Sequence, residues 1–167
     1  MDEPVVAKQH SRMGRTERVG AEGARDDAAV DKASAYDAAT DQATADEARL
    51  RYRRRGVGRI DADERIGPIL EPDEQLVAVR RSAVVYRPET PESGAALPGV
   101  VDVYVTTRRL VLVGQDVHSF DLATVDEAVI SNERLLLVLC DGVGLVLKVD
   151  WPRLLRVEIA AARAARR

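Results

Sequence analysis

"DVYVTTRRLVLVG", Asp102 to Gly114, is the stretch whose reading decides the fold. Val101, Val103 and Val105 alternate with Asp102, Tyr104 and Thr106, the period-two pattern of a strand with one apolar face. Beyond Thr107-Arg108 the run Leu110 to Val113 is apolar throughout, which predicts a strand covered on both faces. The two runs read as a hairpin. Thr107 is β-branched and resists a positive φ, so a left-handed turn residue is not favoured there. Arg108 and Arg109 read as caps on turn carbonyls, with their stems lying over apolar neighbours.

Working outward, strand-like runs continue on both sides. "QLVAVRRSAVVY" (75–86) precedes the hairpin, separated from it by "RPETPESGAALPG" (87–99), whose prolines and glycines predict a long loop. "VHSFDL" (117–122), "VDEAVIS" (125–131), "RLLLVLC" (134–140) and "GLVLKV" (144–149) follow. The last two are joined through Asp141-Gly142, a pair suited to a type I′ turn in which both central residues take φ > 0. Sequential antiparallel pairing of seven strands, as one sheet or a barrel, is the simplest topology for this pattern. "DWPRLLRVEIAAARAARR" (150–167) closes the sequence as an amphipathic helix. Asp150 is the expected N-cap and Pro152 suits the first turn. Trp151, Leu154, Leu155, Ile159 and Ala162 form one apolar stripe, which predicts core packing for Trp151.

Before residue 61 the composition is different. Up to Leu50 the chain is rich in Ala, Asp, Thr, Arg and Gly, and Val30, Tyr36 and Leu50 do not line up as a core-facing surface. Such a stretch buries too little area to offset chain entropy, so residues 1–60 are expected to be a disordered or transiently helical arm, and 61–167 the folded domain. "RLRYRRRGVGR" (49–59) reads as an Arg-rich hinge with two glycines. In "DADERIGPIL" (61–70), Asp61 or Asp63 is a candidate N-cap, and Pro68 is expected to end any short helix.

Bulk properties narrow the function. Acids and bases nearly balance, 28 against 25, so whole-chain attraction to nucleic acid is not predicted. Between Thr44 and Arg65 seven arginines face five acids, a net charge of +2, and Tyr52 is the only interleaved aromatic, so nucleic-acid binding is not expected there. A single cysteine, no apolar run of spanning length and no signal-like N-terminal segment lead to the expectation of a soluble cytoplasmic protein, peripheral to the inner membrane face if the arginines bind lipid. His10 and His118 lie far apart in sequence, and no Cys/His/carboxylate cluster has metal-ligand spacing. Cys140 ends an apolar run and is expected to be buried and inert. No Gly-rich phosphate loop is present, so neither cofactor nor metal is expected, and the chain is read as a non-enzyme.

With "LEPDEQLV" (70–77), "VYVTTRRLVLVG" (103–114), "FDL" and a terminal helix opening on Trp-Pro, the chain resembles the GRAM and bacterial PH-like families from about Ile66 to Ala165. The resemblance implies a mainly β, PH-like seven-stranded antiparallel barrel capped by a C-terminal amphipathic helix. It also implies a binding module that contacts a protein partner or a second copy of itself, with weak attachment to anionic lipid as the alternative. Candidate contacts are Arg49, Arg51, Arg53, Arg54 and Arg55 in the basic segment, with Arg80 and Arg81 in the first strand run and Arg108 at the hairpin turn. Thr106, Arg109, Leu110 and Trp151 carry the motif and are read as structural. Glu89 and Glu92 in the loop after the first strand would repel a polyphosphate head group.

Overall fold

The computed structural model describes the backbone of residues 17–87, 99–142 and 144–166, with side chains described from residue 34 onward. His10, Glu89 and Glu92 therefore lie outside the described residues. Two compact units are present, Met1–Asp37 and Ala38–Arg167. In the first, the described backbone from Glu17 is helical.

The second unit carries the sheet. Its strands are β1 (Leu76–Tyr86), β2 (Val100–Thr106), β3 (Arg109–Val113), β4 (Val117–Asp121), β5 (Val125–Ser131), β6 (Arg134–Leu139) and β7 (Gly144–Lys148). They form one antiparallel sheet in the order β4-β3-β2-β1-β7-β6-β5, followed by helix α2 (Pro152–Ala165). Seven antiparallel strands followed by one helix is the element order that the resemblance implies. The sheet is curled but not closed: β4 and β5 are its two edges, so "barrel" is too strong a word. A 3-10 turn, Leu122–Thr124, capped by the Asp121 carboxylate on the Ala123 amide (2.8 Å), carries the chain from one edge to the other. Strand β1 serves both halves of the sheet because it is irregular at Ser82, where φ is +53° and the pairing register shifts. Its early residues pair with β2, and Val84 to Tyr86 pair with β7.

Inside the curl lies the main core, to which β3 gives Leu110 and Leu112, β6 Leu135 and Leu137, and α2 Leu155, Ile159 and Ala162. On the outer face a second cluster joins Tyr104, Val111 and Val113 to Ile66. β2 is consequently buried on both faces from Val101 onward, where alternation predicted one. The cover comes from residues 60–70. Asp63 caps a turn there by accepting from the amides of Arg65 (2.9 Å) and Ile66 (3.0 Å), and Pro68 sits inside the short 3-10 helix Gly67–Ile69 rather than ending one.

The basic segment differs most from expectation. Helix α1 spans Glu17–Arg55, so Arg49 to Arg55 form its last turns and not a hinge; Gly56, at φ +71°, ends it. Within the second unit, residues 38–55 pack on α2 through Ala45, Ala48 and Tyr52 against Leu154 and Val157. Small side chains made this stretch look unable to pack, yet small size is what lets two helices approach closely. An acid completes the contact. Asp41, buried, accepts from the amides of Arg153 (2.8 Å) and Leu154 (3.0 Å), capping α2 from another helix.

That cap replaces the expected one. With Pro152 as the first helical residue, the N-cap position falls on Trp151 and not on Asp150. Trp151 takes a left-handed φ of +62°, makes no side-chain cap, and is 42% exposed, so it does not join the core. A residue at the N-cap stands outside the helical stripe. Two further readings change for local reasons. β6 ends at Leu139, leaving Cys140 exposed in the turn. Of the Asp141-Gly142 pair only Gly142 has φ > 0 (+79°); the turn with two left-handed residues is Asn132-Glu133, between β5 and β6.

Candidate functional site

Around the hairpin the arginines are held by acids. Glu74, whose side chain is fully buried, receives Arg109 through Nε (3.0 Å to Oε1) and Nη2 (2.8 Å to Oε2), and Arg109 Nη2 also donates to the Ile69 carbonyl (2.8 Å). Thr106 Oγ1 donates to Glu74 (2.6 Å) and accepts from the amides of Arg108 (3.1 Å) and Arg109 (2.9 Å). Burial alone would raise the Glu74 carboxyl, but the hydrogen bonds from Arg109, Thr106 and the Glu71 amide hold it below the ordinary range. Arg108 pairs with Glu71 at the surface. No turn residue needs a positive φ: the Thr107 amide donates to Gln75 O (2.9 Å) and its hydroxyl accepts from the Gln75 amide (3.2 Å). Leu110 is completely buried.

Arg81 and Arg80 are likewise engaged. Arg81 binds Asp63, Asp102 (2.7 Å) and Tyr104 Oη (2.6 Å), while Asp102 also accepts from the Ser82 amide (3.0 Å) and pairs with Arg65. This network fixes the irregular point of β1 against β2 and the capping turn. Burial by itself would raise Asp63, yet the hydrogen bonds from Arg81, from the Ile66 and Arg65 amides and from Tyr104 bring it from 3.8 to about 2. Arg80 points the other way, into the sheet–helix junction, and pairs with the buried Glu158 of α2 at 2.6 Å. There burial dominates and pushes the Glu158 carboxyl up despite Arg80.

The helical side is different. A groove of about 630 Å³ runs between the end of α1 and the outer face of α2, with Ala128 of β5 at its floor. Tyr52, Val57, Ile159, Ala160, Ala161 and Ala164 supply its apolar lining, and Arg49, Arg53, Arg156 and Arg163 its charge, with no acidic residue among the lining groups. Helical spacing brings the cations together: 49 and 53 are four apart on α1, and 156 and 163 seven apart on α2. Arg49 has an exposed pairing with Asp46 one turn back, whereas Arg53, Arg156 and Arg163 have no ion pair among the described residues. The candidate contacts in the basic segment are thereby divided. Arg49 and Arg53 line the groove; Arg51 stacks over the Tyr52 ring at 5.1 Å, and Arg54 and Arg55 are exposed beyond it. Arg156 and Arg163 were not among the sequence candidates. Their i, i+7 spacing was legible, but not that α1 would lie beside them.

Trp151 is at the opposite end of α2 from this groove's Ala165 rim. Among the described residues no group of His, Cys, Asp or Glu is arranged to hold a metal ion, and no helix is long and apolar enough to cross a membrane.

No family model matches the chain, and no curated protein matches it. Among solved structures it is similar to one described as "Vps36 N-terminal PH domain", with 14% identity, a TM-score of 0.48, and 65% of this chain and 93% of that one covered.

Proposed function

We propose that this chain is a non-enzymatic binding module whose protein partner docks in the α1–α2 groove through an acidic helix with small side chains. The carrying observation is the contrast in charge. Arg80, Arg81 and Arg109 on the strands and Arg108 in the hairpin turn face carboxylates of their own chain, while the groove presents four arginines and no acid. Concave shape and an alanine floor suit a helix better than a flat bilayer. Each exposed arginine–carboxylate pair is worth about 0.2–1 kcal/mol, so the apolar floor supplies the affinity and the charges supply orientation and encounter rate.

The test is fluorescence anisotropy with a labelled acidic, alanine-rich helical peptide of designed sequence and its lysine-substituted counterpart. The acidic peptide binds saturably, and Arg53→Glu with Arg156→Glu weakens it by about tenfold or more. The melting temperature stays near that of the parent. No binding of the acidic peptide, or binding indifferent to the reversal, would remove the reading.

A second reading rests on Arg53, Arg54 and Arg55 standing in succession at the exposed end of α1. Each could gain about 1 kcal/mol at an anionic bilayer surface. Pelleting with phosphatidylserine vesicles that disappears on Arg54→Glu with Arg55→Glu, and not on the groove reversal, would favour lipid.

A further inference from the structure

Helix α1 changes sign along its length. Glu17 to Asp37 contains six acids against Arg18, Arg25 and Lys32, and six of its residues are alanine, whereas Arg49 to Arg55 holds five arginines in seven positions. The same helix that builds one wall of a basic, alanine-floored groove therefore also carries an acidic, alanine-rich stretch.

The way residues 38–55 dock shows what such a stretch can do on α2. Its contact consists of an acid at one position with alanines four and seven residues later: Asp41, Ala45 and Ala48. Positions i, i+4 and i+7 share a helical face, so one acid and two small side chains meet the partner together. That pattern occurs twice more in the first part of α1, as Glu17/Ala21/Ala24 and as Asp31/Ala35/Ala38. Composition and spacing both match a face already docked beside the groove, on Leu154 and Val157 of α2.

We infer that the α1–α2 groove takes the 17–37 stretch of α1 from a second copy of this chain. The inference rests on reading the groove as a protein-docking surface and names its occupant. Carboxylates of the incoming helix meet Arg49, Arg53, Arg156 and Arg163, and its alanines settle on Ala160, Ala161 and Ala164. At about 1.5 Å per residue the stretch is roughly 30 Å long, ample for the portion of α2 from Arg156 to Ala165, about 15 Å. Reciprocal exchange, each copy giving a helix and receiving one, closes the pair as a two-fold dimer; one-way docking would propagate into filaments. Because the contacts are ionic at an open groove, added salt weakens the dimer.

The experiment is light scattering on the full chain from low micromolar to millimolar concentration, with two charge-reversed variants. One reverses the groove (Arg53→Glu, Arg156→Glu and Arg163→Glu). The other reverses the helix (Glu17→Lys, Asp27→Lys and Asp31→Lys). The parent dimerises, and each variant alone associates about tenfold or more weakly. Mixed together they restore a heterodimer, since the acidic groove of the first meets the basic helix of the second, and the basic groove of the second meets the acidic helix of the first. Unchanged melting temperatures show that both variants fold. A parent that stays monomeric over the whole range, variants that dimerise like the parent, or a mixture that fails to pair overturns the inference. Should the parent be monomeric while the designed acidic peptide still binds the groove, this inference falls and the proposed function stands; if neither associates, both fall.

Discussion

The hairpin side of the sheet and the helical side of the domain use the same residue type to opposite ends. Around the hairpin, Arg109 is locked onto a buried carboxylate and Arg81 is shared among Asp63, Asp102 and Tyr104. Along the groove, Arg53, Arg156 and Arg163 stand at an apolar floor with no ion pair among the described residues. An arginine held by its own chain contributes to specifying the fold. One that is not held is available to a partner. The difference lies in what the neighbouring segments supply: residues 61–74 bring Asp63, Glu71 and Glu74 onto the hairpin, whereas along the groove α1 brings Tyr52 and α2 brings alanines.

The sharpest break of this comparison is at Arg109. Removing it leaves Glu74 buried without its cation, and Arg109→Ala should cost about 3–5 kcal/mol in denaturant unfolding. Arg108→Ala, losing only exposed pairings with Glu71 and Asp73, should cost less than about 1 kcal/mol. Equal losses would mean that burial does not separate the two.

A smaller effect is expected where the helical side is held together. Asp41→Ala removes the cap on Arg153 and Leu154 and should cost about 1–2 kcal/mol. Amide exchange should then rise selectively in residues 38–55 and in the first turn of α2, while β1–β3 keep their protection. Uniform loss of protection would show that the two sides are one cooperative unit.

The smallest effect is in acid. Asp63 has a folded pKa of about 2, below its ordinary 3.8, so its contribution is complete above about pH 4 and is lost as pH falls through 2. Asp63→Asn should therefore be less stable than the parent at neutral pH, and the two should converge between pH 4 and 2. A constant gap across that window would mean that the carboxylate's charge is not what Arg81 and Tyr104 recognise.

Much of the sheet was legible because strand signals are local. Alternation and turn residues placed all seven strands to within a few positions, and "VDEAVIS" matches β5 residue for residue. The Asp141-Gly142 turn, the Trp151 cap and the Cys140 burial were misread because each depends on where an element ends by one residue. The docking of α1 was illegible for another reason. Alanines and a buried Asp carry no hydrophobic signature, and Asp41 finds its partners 112 and 113 residues away. The groove inherits that difficulty: Arg49 and Arg53 were visible as a basic segment, but Arg156 and Arg163 became part of the same site only when the helices met.

By itself, then, the amino-acid sequence determined the seven strand segments, the hairpin "DVYVTTRRLVLVG" and the amphipathic final helix, since backbone periodicity and turn chemistry are read from neighbouring residues; the β1–β7 pairing and the break between β4 and β5 were not in it. Tertiary structure alone decided which arginines are held and which are not. That depends on whether a carboxylate from a distant segment arrives within hydrogen-bonding distance, and a charge in a sequence does not say what will face it.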